Sequence, residues 1–206
     1  MSDHIKVFAD LYENCSWGNN SNTDYKGSSG NGSDVEYNIT TYIPFLREFL
    51  KKFNITTVVD LGCGDFRCGK FIYDDMKDIK YYGYDAYDKI IKHHNNSGYD
   101  SRYQFTHLDF YKCKEEIMPA DLCILKDVLQ HWKLEEIYIF MDYLIASKKY
   151  KYILICNCGA QTTNNTDIST GQCRALSSQL FPLKKYNPII MYRYYTKEVS
   201  IVICPQ

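Results

Sequence analysis

Apolar residues in this chain recur in two rhythms that take turns along its length. Short runs at 56–61, 80–84, 103–108, 122–125 and 150–156, rich in β-branched, aliphatic and aromatic residues, have the composition of strands in a sheet covered on both faces. The spacers at 70–77 and 86–95 read as helices, and Leu134, Ile137, Tyr138, Met141, Leu144 and Ile145 place one apolar face on another. Upstream, Val35, Ile39, Tyr42, Ile43, Leu46, Phe49, Leu50 and Phe53 recur at helical steps behind a capping-box spacing of Ser33 and Glu36. Pro44 inside that stretch predicts a kink or two short helices. Alternation of strand and helix builds a parallel, doubly wound α/β sheet. The chain ends differently: after a mixed insertion at 157–188, the runs 189–195 and 199–204 stand a few residues apart, which predicts an antiparallel hairpin.

Length and charge narrow the class. The 206 residues suffice for one domain with a full core, read as 35–206, behind an N-terminal lid or loop segment, 1–34, whose 14–33 portion is rich in Gly, Ser and Asn. A net charge of −1 provides no global basic field, so neither an extended nucleic-acid surface nor attraction to an anionic membrane is expected. The opening Met-Ser-Asp-His-Ile-Lys carries no apolar signal segment and no later run reaches membrane-spanning length. A cytoplasmic protein whose nine cysteines are mostly reduced is therefore expected. Cys156 and Cys158, one residue apart without a matching Cys/His pair, lack zinc-knuckle spacing, and no metal is expected. Plentiful Tyr, Asn, Lys and Ile look like translation of an AT-rich microbial or viral genome. Those tyrosines locate no interface, and the oligomeric state is left open.

The chemistry concentrates at 58–70, Val-Val-Asp-Leu-Gly-Cys-Gly-Asp-Phe-Arg-Cys-Gly-Lys, a buried-strand pattern running into a glycine turn. Gly62 and Gly64 remove Cβ atoms where the backbone turns and let a bulky ligand approach, and a following helix would aim free N–H groups at it. A dinucleotide fingerprint needs a third glycine where Arg67 stands, which disfavours NAD or FAD. Taken alone, the string leaves a nucleotide-like cofactor and a plain tight turn both open. It resembles the first motif, Asp/Glu-x-Gly-x-Gly-x-Gly, of class I S-adenosylmethionine-dependent methyltransferases, with Asp60, Gly62 and Gly64 in register and Phe66 in place of the last glycine.

The resemblance implies a Rossmann-like, seven-stranded, mostly parallel sheet with a C-terminal antiparallel hairpin, and S-adenosylmethionine as cofactor with S-adenosylhomocysteine as product. Asp85, ending the second strand, suits the two hydroxyls of a ribose, although an aspartate there also serves as a helix N-cap. By resemblance Asp109 and Phe110 meet the adenine, against a simple turn. Gly30, Cys63, Ala86 and Lys126 complete the cofactor candidates. The stretch from Asp127 to Trp132 looks like the Asp-Val-Leu-x-His-Leu of small-molecule methyltransferases. One helical turn would bring Asp127 and His131 to one side as an oriented imidazole or a base, whereas the plainer alternative is a cap and a surface histidine. Trp17 with Ser29-Gly30-Asn31-Gly32-Ser33 resembles the lead-in of a bacterial-type branch, or is a flexible linker. Arg174, in a segment resembling that branch's Asp-Ile-x-x-Gly-x-x-Arg, is a candidate for an anionic or hydroxyl-rich substrate, against a surface salt bridge.

The expectation is methylation of a small-molecule acceptor, at oxygen, with a sugar or sugar-derived metabolite preferred because a lid and an insertion can enclose something small. A protein or RNA methyltransferase would instead show an open, charged groove beside Lys126. A methyltransferase-like binding module without turnover is the rival from another class.

Overall fold

Val58, Val59 and Leu61 are wholly buried, and around the strand that they form, β1 (Thr57–Leu61), the sheet grows in both directions. The computed structural model describes residues 3–22, 24–159 and 161–205. Thr23 of the polar loop and Ala160 of the insertion, like Met1, Ser2 and Gln206, lie outside the described residues. Seven strands run in the order β3-β2-β1-β4-β5-β7-β6: β2 (Lys80–Asp85), β3 (Tyr103–His107), β4 (Ala120–Lys126), β5 (Tyr150–Cys158), β6 (Ile189–Tyr194) and β7 (Lys197–Ile203). β1 to β5 are mutually parallel, and β7 pairs antiparallel with both β5 and β6. The expected α/β sheet with a terminal hairpin is the one observed.

Two apolar layers flank the sheet. On one face Leu46 and Phe49 of α3 (Tyr42–Lys52), Ile72 of α4 (Gly69–Tyr73) and Ile90 of α5 (Asp88–Asn96) form one cluster with Val58, Tyr81 and Leu122. On the other, Ile137, Phe140, Met141 and Leu144 of α6 (Leu134–Ala146) pack with Trp132 and Leu125. Each such side chain contributes about 1.5–3 kcal/mol by leaving water.

The departures from expectation lie mostly at the N-terminal end. Residues 1–34 contain α1 (His4–Glu13), N-capped by Asp3, which accepts from Lys6 N at 3.2 Å. The helical stretch from Val35 divides into two, α2 (Val35–Asn38) and α3, as expected, but the break precedes Pro44. Pro44 is the third residue of α3, where its missing N–H would have had no intrahelical partner. The capping box does not form, because Asp34 occupies the N-cap position of α2 and the Ser33 hydroxyl donates to Gly30 O at 2.8 Å. α4 stops at Tyr73 rather than 77, and β7 begins two residues early, at Lys197.

Candidate functional site

Strand order reverses between β1 and β4, and a crevice at the carboxyl ends of parallel strands opens at such a point. Here it is a cavity of about 450 Å³, lined by α1, the loop that follows, the glycine turn, the ends of β2, β4 and β5, and the start of β7. Among the predicted residues Trp17, Gly30, Asp60, Gly62, Cys63, Gly64, Asp85, Ala86, Phe110, Lys126, Asp127 and His131 all line it.

The wall over β1 and β2 is made chiefly of backbone. Gly62 and Cys63 donate their N–H groups to Tyr84 O at 2.8 and 3.0 Å, and Gly64 N–H donates to Asp85 Oδ2 at 3.0 Å. Gly62 and Gly64 sit at φ 79° and 54°, and a Cβ on Gly62 would stand 2.6 Å from Val128 Cγ2. Asp85 Oδ1 accepts from Tyr87 N at 3.0 Å. Burial pushes the Asp85 carboxyl up, against these backbone donors. Burial also pushes Asp60 up to about 6, opposed by the Tyr81 hydroxyl, which donates to Asp60 Oδ2 at 2.7 Å.

Phe66 explains how the turn survives without its last glycine. Its backbone keeps a left-handed φ of 52°, and its ring enters an aromatic cluster, 4.8 Å from Tyr81 and 5.1 Å from Phe105. That ring lies against Gly69, where any Cβ would collide with it. The small residue has moved three positions along, and apolar burial offsets the strained φ.

The lid is clasped onto this wall. Ser29 N donates to Asp65 Oδ2 at 3.0 Å and Asp65 N donates to Ser29 Oγ at 2.8 Å, while Tyr12 OH stands 2.9 Å from the same hydroxyl. Arg67 bridges Asp65, at 2.9 Å, and Asp34. Trp17 stacks its edge on Tyr12 and lies 5.3 Å from the His131 ring.

The wall over β4, β5 and β7 is made of charged and polar side chains. Asp127, at φ 59°, lies between two ammonium groups: Lys126 Nζ at 2.9 Å from Oδ2, and Lys197 Nζ bonded to Oδ1. Lys126 Nζ also donates to Gly32 O at 2.6 Å, and Lys197 Nζ to Cys158 Sγ at 3.0 Å. Burial works against ionisation of Asp127, yet Lys126 and Lys197 hold its carboxyl at about 2. Burial lowers the His131 imidazole, whose Nδ1 lies 3.0 Å from Gln172 O, so that Nδ1 carries the proton and Nε2 the lone pair. Gln130 accepts from Cys158 N at 2.8 Å and turns its amide nitrogen toward His131 Nε2 at 3.5 Å.

Three expectations change in detail. Asp127 does not orient His131; its oxygens are taken by the lysines, Gln172 O orients the ring, and a left-handed residue followed by a 3-10 turn replaces the helical turn that would have aligned the pair. Asp109 is not among the lining residues: Oδ1 accepts from Lys112 N at 3.0 Å, and Lys112 Nζ approaches Oδ2 at 3.6 Å. Arg174 also stands outside the lining, buried, with Nη1 donating to Trp132 O at 2.6 Å. Lys197, Tyr12 and Phe8 line the cavity without having been anticipated. No sequence signal marked Lys197, which opens β7 beside Glu198, and α1 lies too far from any motif to give one for the other two.

No protein-family model matches the chain, and no curated protein matches it in sequence. Solved structures do match in shape. Magnesium protoporphyrin IX methyltransferase (ChlM) from Synechocystis PCC 6803, with bound SAH, superposes with a TM-score of 0.62 at 14% identity, over 98% of this chain and 100% of that one. Human N-acetylserotonin methyltransferase, in complex with SAM, gives 0.59 at 14% identity over 80% of this chain and 55% of its own. An O-methyltransferase family protein from Burkholderia thailandensis gives 0.57 at 16% identity over 84% and 58%. The chain thus spans little more than half of the last two. At such identities the likeness speaks for architecture, and the architecture is the seven-stranded class I methyltransferase fold, with β7 inserted antiparallel between β5 and β6.

Proposed function

We propose that this cavity binds S-adenosylmethionine and that the chain transfers its methyl group to an oxygen of a small molecule. The observation that carries the reading is the β1–β2 wall, where Gly62 and Gly64, both at left-handed φ, bring bare backbone into the cavity beside the Asp85 carboxylate at the topological switch point. The donor set fits the cofactor: Asp85 for the ribose hydroxyls, Asp60 toward the α-ammonium, Ala86 and Phe110 toward the adenine, with Gly30, Cys63 and Lys126 lining the rest. When bound, the cofactor supplies a methyl already activated on a sulfonium sulfur. The chain's own residues then have to orient the acceptor and exclude water. Trp17 and the Ser29–Asp65 clasp close the cavity, and His131 Nε2, once a substrate hydroxyl displaces its long contact with the Gln130 amide, is the lone pair that takes the hydroxyl proton. Asp127, clamped by two lysines, is too weak a base for that task and instead positions them.

The lid and the buried run from Leu129 to Trp132 favour a small acceptor over a polymer, which would require an open groove. For a sugar the one supporting feature is Trp17, and for a substrate-binding role of Arg174 it is nearness to Trp132. Calorimetric titration with S-adenosylhomocysteine tests the reading. Binding at tens of micromolar or tighter (about −6 kcal/mol or better) is expected, and no binding in that range overturns it. Asp85→Ala should weaken that binding; unchanged affinity removes the ribose assignment.

A further inference from the structure

The β4–β5–β7 end of the cavity holds a buried ammonium whose hydrogen-bonding capacity is only partly used. Lys197 is buried, at 4% exposure, and among the described residues Asp127 is its one carboxylate partner. That carboxylate is shared with Lys126. Asp60, on the neighbouring β1, gives Lys126 a second carboxylate, whereas Asp127 is the carboxylate that pairs with Lys197. The other group on Lys197 is the Cys158 thiol, so that one of its three N–H bonds has no acceptor among the described residues. A charged donor left unpaired in so enclosed a place is costly, and an incoming anion would relieve it.

Strand register places this charge away from the cofactor end. Cys158 pairs with Lys197 across β5 and β7, Lys126 pairs with Cys156 across β4 and β5, and Leu61 pairs with Tyr84 across β1 and β2. The backbones of Asp85 and Lys197 thus stand at opposite ends of a row of five strands, about 19 Å apart at ordinary strand spacing, and Lys197 Nζ reaches back only as far as Asp127 at the end of β4. An anion that approaches Lys197 from the β5–β7 side, away from Lys126, belongs to the acceptor. Between the two ends Phe8, Trp17 and Tyr42 offer aromatic walls, and His131 stands beside Trp17.

We propose that the acceptor is a small aromatic hydroxy acid whose carboxylate is seated on Lys197, with its hydroxyl turned toward His131. The inference rests on the methyl-transfer reading of the same cavity and names the substrate class for it. Lys197 is then the residue that selects acids over neutral analogues, and Asp127 is a competing anion that tempers the site when no acceptor is bound.

The probes are 3- and 4-hydroxybenzoate, each compared with its neutral amide by calorimetry on protein saturated with S-adenosylhomocysteine. Either acid should bind at least tenfold tighter than its amide. Lys197→Met should erase that preference, Lys197→Arg should keep it, and Asp127→Asn should tighten the acid several-fold without changing the amide. The double variant Lys197→Met/Asp127→Asn removes the pair together, guards against misfolding of the single variant, and should also show no preference. Binding of neither acid, equal binding of acid and amide, or a preference that survives Lys197→Met overturns the proposal. Failure of S-adenosylhomocysteine to bind would sink the cofactor reading separately, and the acid–amide comparison, repeated without the nucleoside, would still decide whether Lys197 seats an anion.

Discussion

The two walls of the cavity are built on different principles. Over β1 and β2 the cavity surface is backbone, held by Gly62, Gly64 and the N–H groups that converge on Tyr84 O and Asp85. Over β4, β5 and β7 it is side chain, held by the Lys126–Asp127–Lys197 cluster. A backbone wall tolerates no Cβ but demands little of its neighbours, whereas a charged wall tolerates shape changes and fails when its charges are unbalanced. The first suits a cofactor common to a fold; the second suits an acceptor particular to one chain.

The sharpest way to break the comparison is a side chain on the backbone wall. Gly64→Val places a Cβ against Ser29 Oγ at a φ of 54°, at a cost of about 1–2 kcal/mol for the left-handed backbone and a similar amount for overpacking. A loss of S-adenosylhomocysteine affinity of about 100-fold is expected by calorimetry. An effect below about threefold would mean that the turn is not a ligand surface.

On the charged wall, Lys197→Met should cost about 3 kcal/mol in urea unfolding by leaving Asp127 with one partner, and adding Asp127→Asn should recover at least half of it. The sign with pH follows from Asp127, whose folded value of about 2 lies below its unfolded value near 3.8. Its contribution, on the order of 2 kcal/mol, is complete above about pH 4 and disappears as pH falls through about 2. Asp127→Asn should flatten that acid limb.

The contrast between the walls also governs what could be read from the chain. Asp60, Gly62, Gly64 and Asp85 were legible because a turn and a strand end are local events, encoded within a few residues, and the strand rhythm foretold the sheet for the same reason. The partners of Asp127 were not. Lys197 follows it by 70 residues, and only the antiparallel return of β7 beside β5 brings the two together. Asp127 and His131 were located but their relation was misread, since a helical turn was assumed where Asp127 adopts a left-handed φ. α1 escaped notice because its value lies in Tyr12 and Phe8 meeting a cavity that no local pattern announces.

A smaller effect separates the walls by proton count. Burial pushes Asp60 up to about 6, and a cofactor ammonium beside it would keep it ionised. Binding must then release the proton that Asp60 carries below that pH, so cofactor affinity should rise about tenfold from pH 5 to 7 and level off above. Calorimetry in buffers of different ionisation enthalpy would count the proton, and Asp60→Asn should remove both the release and the slope.

The smallest expected effect tests the lid that joins the two walls. The Ser29 hydroxyl accepts from Asp65 N and meets Tyr12 OH, so it ties α1 and the loop to the glycine turn through one oxygen. Ser29→Ala deletes both contacts but leaves the Ser29 N–H bond to Asp65, and should cost about 2 kcal/mol in stability, since the Tyr12 hydroxyl and the Asp65 N–H belong to buried residues that lose their partner. Cofactor affinity should fall by about fivefold, mostly through faster dissociation measured by stopped flow, because the clasp closes the cavity rather than contacting the ligand's charged groups. The acid–amide preference at Lys197 should not move. If it does, lid and charged wall are coupled through Gly32, whose carbonyl Lys126 holds at 2.6 Å, and the acceptor site is completed only when the lid is down.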